Sequence, residues 1–109
     1  MKKTVELQLD FMQGPIWISN TRTGEPLTGI DIVDTDEKIR ELNKKISKMY
    51  DEYYEFDSHD MPCYFNEEKE KKEKYIMLSL LKQLNDRLAE INDGSFVVKD
   101  YITDYYKNL

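Results

Sequence analysis

The chain holds one cysteine, Cys63, so no internal disulfide can staple it. It lacks any apolar run approaching the ~20 residues that a membrane-spanning helix needs. Lys2 and Lys3 imitate the charged start of a secretory signal, but Glu6 and Asp10 interrupt the apolar stretch that would have to follow. These absences together predict a protein of the reducing cytoplasm with no membrane contact. Positive charge is also scarce: 16 Lys and Arg against 22 Asp and Glu leave a formal net charge of -6. Nucleic-acid binding needs a basic face, so no nucleic acid is expected, and a basic protein suits this surface better.

Reactive constellations are missing too. With four glycines and no Gly-rich loop leading into a helix, there is no phosphate cradle. Asp57, His59, Asp60 and Cys63 offer oxygen, nitrogen and sulfur donors, but His59 is the only histidine and no second cysteine completes a zinc set. Asp31, Asp34 and Asp36 lack the spacing and the twelfth-position glutamate of an EF-hand. Catalysis by Cys63 with His59 would need positive charge to hold the thiolate, whereas Asp57 and Asp60 oppose it. The expectation is no metal, no cofactor and no enzymatic activity.

What is present is 109 residues, 39% hydrophobic and 35% charged, enough for one folded domain over residues 1–109. Val5, Leu7, Leu9 and Phe11 alternate with polar residues, the period of a half-buried strand over 4–11. Gly14-Pro15 punctuates the chain, Ile16-Trp17-Ile18 resumes a strand near 15–20, and turn residues 21–26 lead to a third strand near 28–33. Short consecutive strands without a crossover predict an antiparallel meander.

Asp34-Thr35-Asp36-Glu37 reads as a helix start, and Ile39, Leu42, Ile46, Met49, Tyr50 and Tyr53 form one apolar stripe of a helix over about 36–54. Asn66 can cap a second helix over about 67–92, whose opening charge run reads as a solvated face and whose stripe is Met77, Leu80, Leu81, Leu84, Leu88 and Ile91. Asn92-Asp93-Gly94 ends it. The predicted architecture is α+β: the meander packed on an antiparallel helix pair, with a short extended segment over 95–98 and a last turn capped by Asp100. Leu42, Ile46, Leu81, Leu84 and Leu88 are expected in the core.

Between the helices, residues 51–65 interleave acids with aromatics and contain no Lys or Arg. A connection of this length exceeds the ~2–8 residues usual between antiparallel helices. It is read either as a loop anchored by Tyr64 and Phe65 or as a recognition surface built of Glu52, Tyr54, Glu55, Phe56, Asp57, His59 and Asp60. Trp17, the lone tryptophan, is an exposed anchor if Ile16 and Ile18 face the core; the opposite register buries it, the usual fate of a tryptophan.

The order Gly14-Pro15-Ile16-Trp17, Thr28-Gly29-Ile30, Tyr53 through Asp60 with Cys63, Phe65-Asn66-Glu67-Glu68, and Glu90 through Val98 resembles the small acidic immunity proteins that bacteria make beside a polymorphic or contact-delivered toxin. The resemblance implies a tight stoichiometric inhibitor whose acidic surface covers a basic active site, often that of a nuclease. It transfers no individual residue role. The competing class is a regulatory or scaffold module that self-associates through its helices.

Overall fold

In β1 (Lys3–Leu7) Val5 and Leu7 are fully buried while Thr4 is exposed, the alternation that period two dictates. The computed structural model describes residues 2–20, 22–58 and 61–109. In it β1 is the middle strand of a three-stranded sheet, paired antiparallel with the two-residue β2 (Ile16–Trp17) and parallel with β5 (Phe96–Asp100). The fold is therefore α+β as expected, but the sheet is mixed and the expected antiparallel meander is not formed. The helices between β1 and β5 supply the crossover that parallel pairing requires. Thr21, the first of the expected turn residues, lies outside the described residues.

The segment expected as a third strand is instead a helical turn, α1 (Asp31–Asp34). The cause is the Asp34 carboxylate, which accepts from the Thr28 N–H at 3.0 Å, the Thr28 hydroxyl at 2.6 Å and the Gly29 N–H at 2.9 Å. Three donors curled onto one side chain leave no extended backbone for a ladder. Ile30 and Val33, three apart, are buried as one helical face.

Helix α2 (Glu37–Asp51) starts where Asp36 accepts from the Ile39 N–H at 2.9 Å. Its buried face carries Ile39, Leu42 and Ile46, together with Asn43, which sequence periodicity does not mark. Asn43 accepts from the Ile16 N–H at 3.0 Å and donates to the Ser19 hydroxyl at 2.9 Å and the Gly24 carbonyl at 2.8 Å, fastening the β2 region to the helix. Gly24 has φ +80, and a Cβ there would come within 2.6 Å of the Arg40 carbonyl oxygen, so the close approach needs glycine.

The second helical segment is interrupted at Glu73, dividing α3 (Glu67–Lys72) from α4 (Lys74–Ile91). Asn66 caps α3 through the Lys69 N–H at 3.0 Å. Met77, Leu81, Leu84 and Leu88 of α4 are fully buried in one core with Leu42, Ile46, Val5, Leu7 and Phe96. Helices α2 and α4 run antiparallel: Arg87, near the end of α4, pairs with Asp36 at the start of α2, while Tyr53, just past the end of α2, feels the Glu73 carboxylate at the start of α4.

Candidate functional site: an aromatic and acidic end

The segment read as a loop is a hairpin, β3 (Tyr54–Ser58) and β4 (Met61–Phe65), with Tyr54 opposite Phe65, Glu55 opposite Tyr64 and Phe56 opposite Cys63. Its alternating acids and rings are a strand period without a recognisable turn signal. Pro62 is tolerated because each strand of a two-stranded sheet has a free edge.

Rings from four parts of the chain meet at the base of this hairpin. Tyr54 lies 4.9 Å from Phe65 and 5.7 Å from Tyr50 between ring centroids, and Phe11 lies 4.9 Å from Tyr54 and 5.6 Å from Phe56. Such tilted and edge-on contacts contribute beyond burial alone. The turn that brings Phe11 here depends on Gly14, whose φ is +83 and whose Cβ would stand 1.9 Å from the Gln8 carbonyl oxygen. Asp51 at the end of α2 accepts from the Met12 N–H at 2.8 Å, locking turn to helix; burial raises its pKa, partly offset by that hydrogen bond. Phe56 and Met12 remain more than half exposed.

Beside the cluster opens a cleft of about 430 Å³. Leu9, Tyr50, Tyr54 and Phe65 form one wall, Glu67 and Glu70 of α3 a second, and Tyr101, Ile102, Tyr105 and Tyr106 the third. The last group is set by Asp100, which accepts from the backbone N–H groups of Ile102 at 2.8 Å and Thr103 at 3.0 Å and from Asn85 at 2.9 Å, starting α5 (Thr103–Lys107). Burial pushes the Asp100 carboxyl up, but these hydrogen bonds and that of the Thr103 hydroxyl prevail and hold it below the ordinary range.

Glu70, 1% exposed, forms the floor and accepts from the hydroxyls of Tyr105 at 2.8 Å and Tyr106 at 3.0 Å. Burial and then the Glu70 carboxylate raise the Tyr105 pKa to about 12 and push Tyr106 higher still. Tyr50 and Tyr53 are also raised, first by burial. The Tyr53 hydroxyl is buried near the Glu73 carboxylate but makes no hydrogen bond to it or to any other of the described residues. Among the described residues no Lys or Arg lines the cleft.

Of the residues that sequence singled out, Tyr54 lines this cleft, half-buried, and Phe56 is exposed on the adjoining hairpin. Glu55 is half-buried and accepts from the Asn66 side chain at 2.8 Å, which fastens the hairpin to the start of α3. Glu52 is exposed just beyond α2. Asp57 lies in β3, and His59 and Asp60 fall outside the described residues. Trp17 is half-buried on the edge strand, paired with Glu6, and is not one of the residues that line the cleft.

The residues that sequence reasoning passed over are Glu67 and Glu70, within the charge run that reads as a solvated face, and Tyr101 and Tyr105 of the last turn after Asp100. Cys63 is exposed. Among the described residues no three His, Cys, Asp or Glu side chains gather to hold a metal, and no helix is long and apolar enough to cross a membrane. No family model, curated protein or solved structure matches this chain significantly.

Proposed function

We propose that this protein binds and inhibits a basic protein partner through a stoichiometric complex, in the manner of the small bacterial immunity proteins its sequence resembles, acting in the cytoplasm with no catalysis of its own. The observation that carries the reading is the make-up of the aromatic end: exposed Tyr101 and Tyr105 line a cleft with Glu67 and buried Glu70, exposed Phe56 lies on the adjoining hairpin, and no Lys or Arg is among the described residues that line the cleft. Acids on such a surface steer a basic partner inward, and rings that become desolvated slow its escape. The same charge pattern imitates a phosphate backbone, which suits a nuclease as the partner.

The contact surface in this reading is the hairpin with Glu52, Tyr54, Glu55, Phe56, Asp57, His59 and Asp60, continued by the cleft; the Trp17 edge is the second surface. Co-expression with the product of the adjacent reading frame tests it. A salt-sensitive complex is expected, with association slowed by Glu55→Lys, Asp57→Lys and Asp60→Lys together and dissociation hastened by Phe56→Ala. Unaltered rates in the triple variant move the interface to the Trp17 edge, and failure to form any complex at low salt overturns the reading.

The competing self-associating module draws on Tyr75 and Ile76, exposed at the start of α4. The apolar stripe that it needs exposed is instead buried: Met77, Leu80, Leu81, Leu84 and Leu88 are in the core and Ile91 packs against it. A concentration-dependent dimer in sedimentation of the isolated chain would favour it.

A further inference from the structure

We infer that the cleft between the hairpin, α3 and α5 is a receptor for one arginine side chain presented by the protein partner. The inference deepens the proposed function and rests on it. Three observations converge. The cleft, about 430 Å³, is in the size range of pockets that enclose small groups. Its walls include the phenol rings of Tyr50, Tyr54, Tyr101, Tyr105 and Tyr106, a ring type that attracts a cation to its face, and Tyr101 and Tyr105 stand half-exposed at the mouth. Its floor is Glu70, a carboxylate removed from water that receives two phenol hydroxyls and pairs with no Lys or Arg among the described residues.

A buried carboxylate is ordinarily paired with a cation as well as hydrogen-bonded. Each Glu70 oxygen accepts one hydroxyl and so retains a lone pair for a further donor. Glu67 at the exposed rim adds a second negative charge along the approach.

Arginine fits better than lysine. Its planar guanidinium stacks on aromatic faces while its forked N–H groups reach two acceptors at once, and it is less strongly hydrated than an ammonium.

The probe is a blocked tripeptide, acetyl-Gly-Arg-Gly-amide, titrated into the whole chain through the millimolar range while backbone and tyrosine-ring NMR shifts are followed. Acetyl-Gly-citrulline-Gly-amide, isosteric and neutral, is the control. The arginine peptide should move signals of Tyr54, Glu67, Tyr101 and Tyr105, with the citrulline peptide at least about tenfold weaker. Glu67→Gln, an exposed change that leaves the core untouched, should weaken the arginine peptide about two- to fivefold. Glu70→Gln should weaken it further while the remaining spectrum stays folded.

Equal shifts from the two peptides, or none at the cleft, overturn the receptor. If a basic partner still binds in that case, the proposed inhibitory function stands and only the arginine site falls. Arginine-specific shifts at the cleft with no complex formed by any basic partner leave the site standing and remove the function.

Discussion

The helix pair of this protein has two ends, each holding a carboxylate sheltered from water, and the two are treated differently. At one, the Asp36 side chain, 8% exposed, is gripped by Arg87 through contacts of 2.6 to 3.2 Å and also caps α2. At the other, Glu70 is buried and its side chain, among the described residues, accepts from the hydroxyls of Tyr105 and Tyr106 with no Lys or Arg beside them. The first acid is neutralised within the fold and reads as architecture. The second keeps unspent acceptor capacity on the floor of a cleft whose mouth carries exposed rings. On the function proposed above, an acid with no Lys or Arg partner among the described residues is the one a cation from outside would meet.

The largest effect should come from the body that joins the two ends. Leu84 is fully buried in α4, so Leu84→Ala should cost about 2–5 kcal/mol and lower the urea midpoint. An unchanged midpoint would dissolve the packing on which both ends depend. Next, Asp36→Ala removes the cap of α2, a loss of about 0.5–2 kcal/mol for the cap alone. Asp36→Asn retains a capping side chain and isolates the ion pair.

Because the Arg87 hydrogen bonds hold the Asp36 pKa down, the ion pair's contribution is complete above the unfolded carboxyl value and fades as pH falls through the folded one. The stability difference between wild type and Asp36→Asn, followed in acid titrations, should therefore shrink as pH drops below about 4. A difference independent of pH would mean that the pair does nothing as a pair.

The opposite end should respond to base. Tyr105 is raised to about 12, so between roughly pH 10 and 12 the folded state holds a proton that the unfolded chain has released, and stability falls as pH rises through that window. Glu70→Gln should bring the Tyr105 titration partway back toward its ordinary value in ultraviolet difference absorbance. It should change stability at neutral pH by less than about 1 kcal/mol, since one accepting oxygen survives and no cation is stranded. A collapse of the fold on this substitution would make Glu70 architectural, like Asp36, and erase the contrast between the ends.

The neutralised end was the more legible from sequence. Ile39, Leu42 and Ile46, and Leu81, Leu84 and Leu88, announce their helices by spacing alone, and Asp36 acts as the cap its residue type suggests. Pairings distant in sequence were not legible: nothing local in Thr4-Val5 says that Val97-Val98 will lie beside it. Ile30-Asp31-Ile32-Val33 has strand composition, yet the reach of Asp34 back to Thr28 and Gly29 wound it into a turn of helix.

The hairpin was half visible, since Tyr54-Glu55-Phe56-Asp57 alternates like a strand but residues 58–61 carry none of the glycine or asparagine that signals a tight turn. Glu70 was missed because paired charges obscured its position. Counting back by three and four from Leu84 through Leu81 and Met77 to Glu73 and Glu70 continues the buried stripe, which would have raised the question of what an acid does there.

The central claim, that the aromatic end receives a basic partner, is tested most directly by hydrogen exchange on the chain alone and in complex with the product of the adjacent reading frame. Partner-dependent protection should concentrate in residues 50–70 and 101–107, leaving the start of α2 and the last turns of α4 as they are in the free protein. Protection confined to the Asp36–Arg87 end or to the edge strand bearing Trp17, with the hairpin and cleft unchanged, would contradict the account.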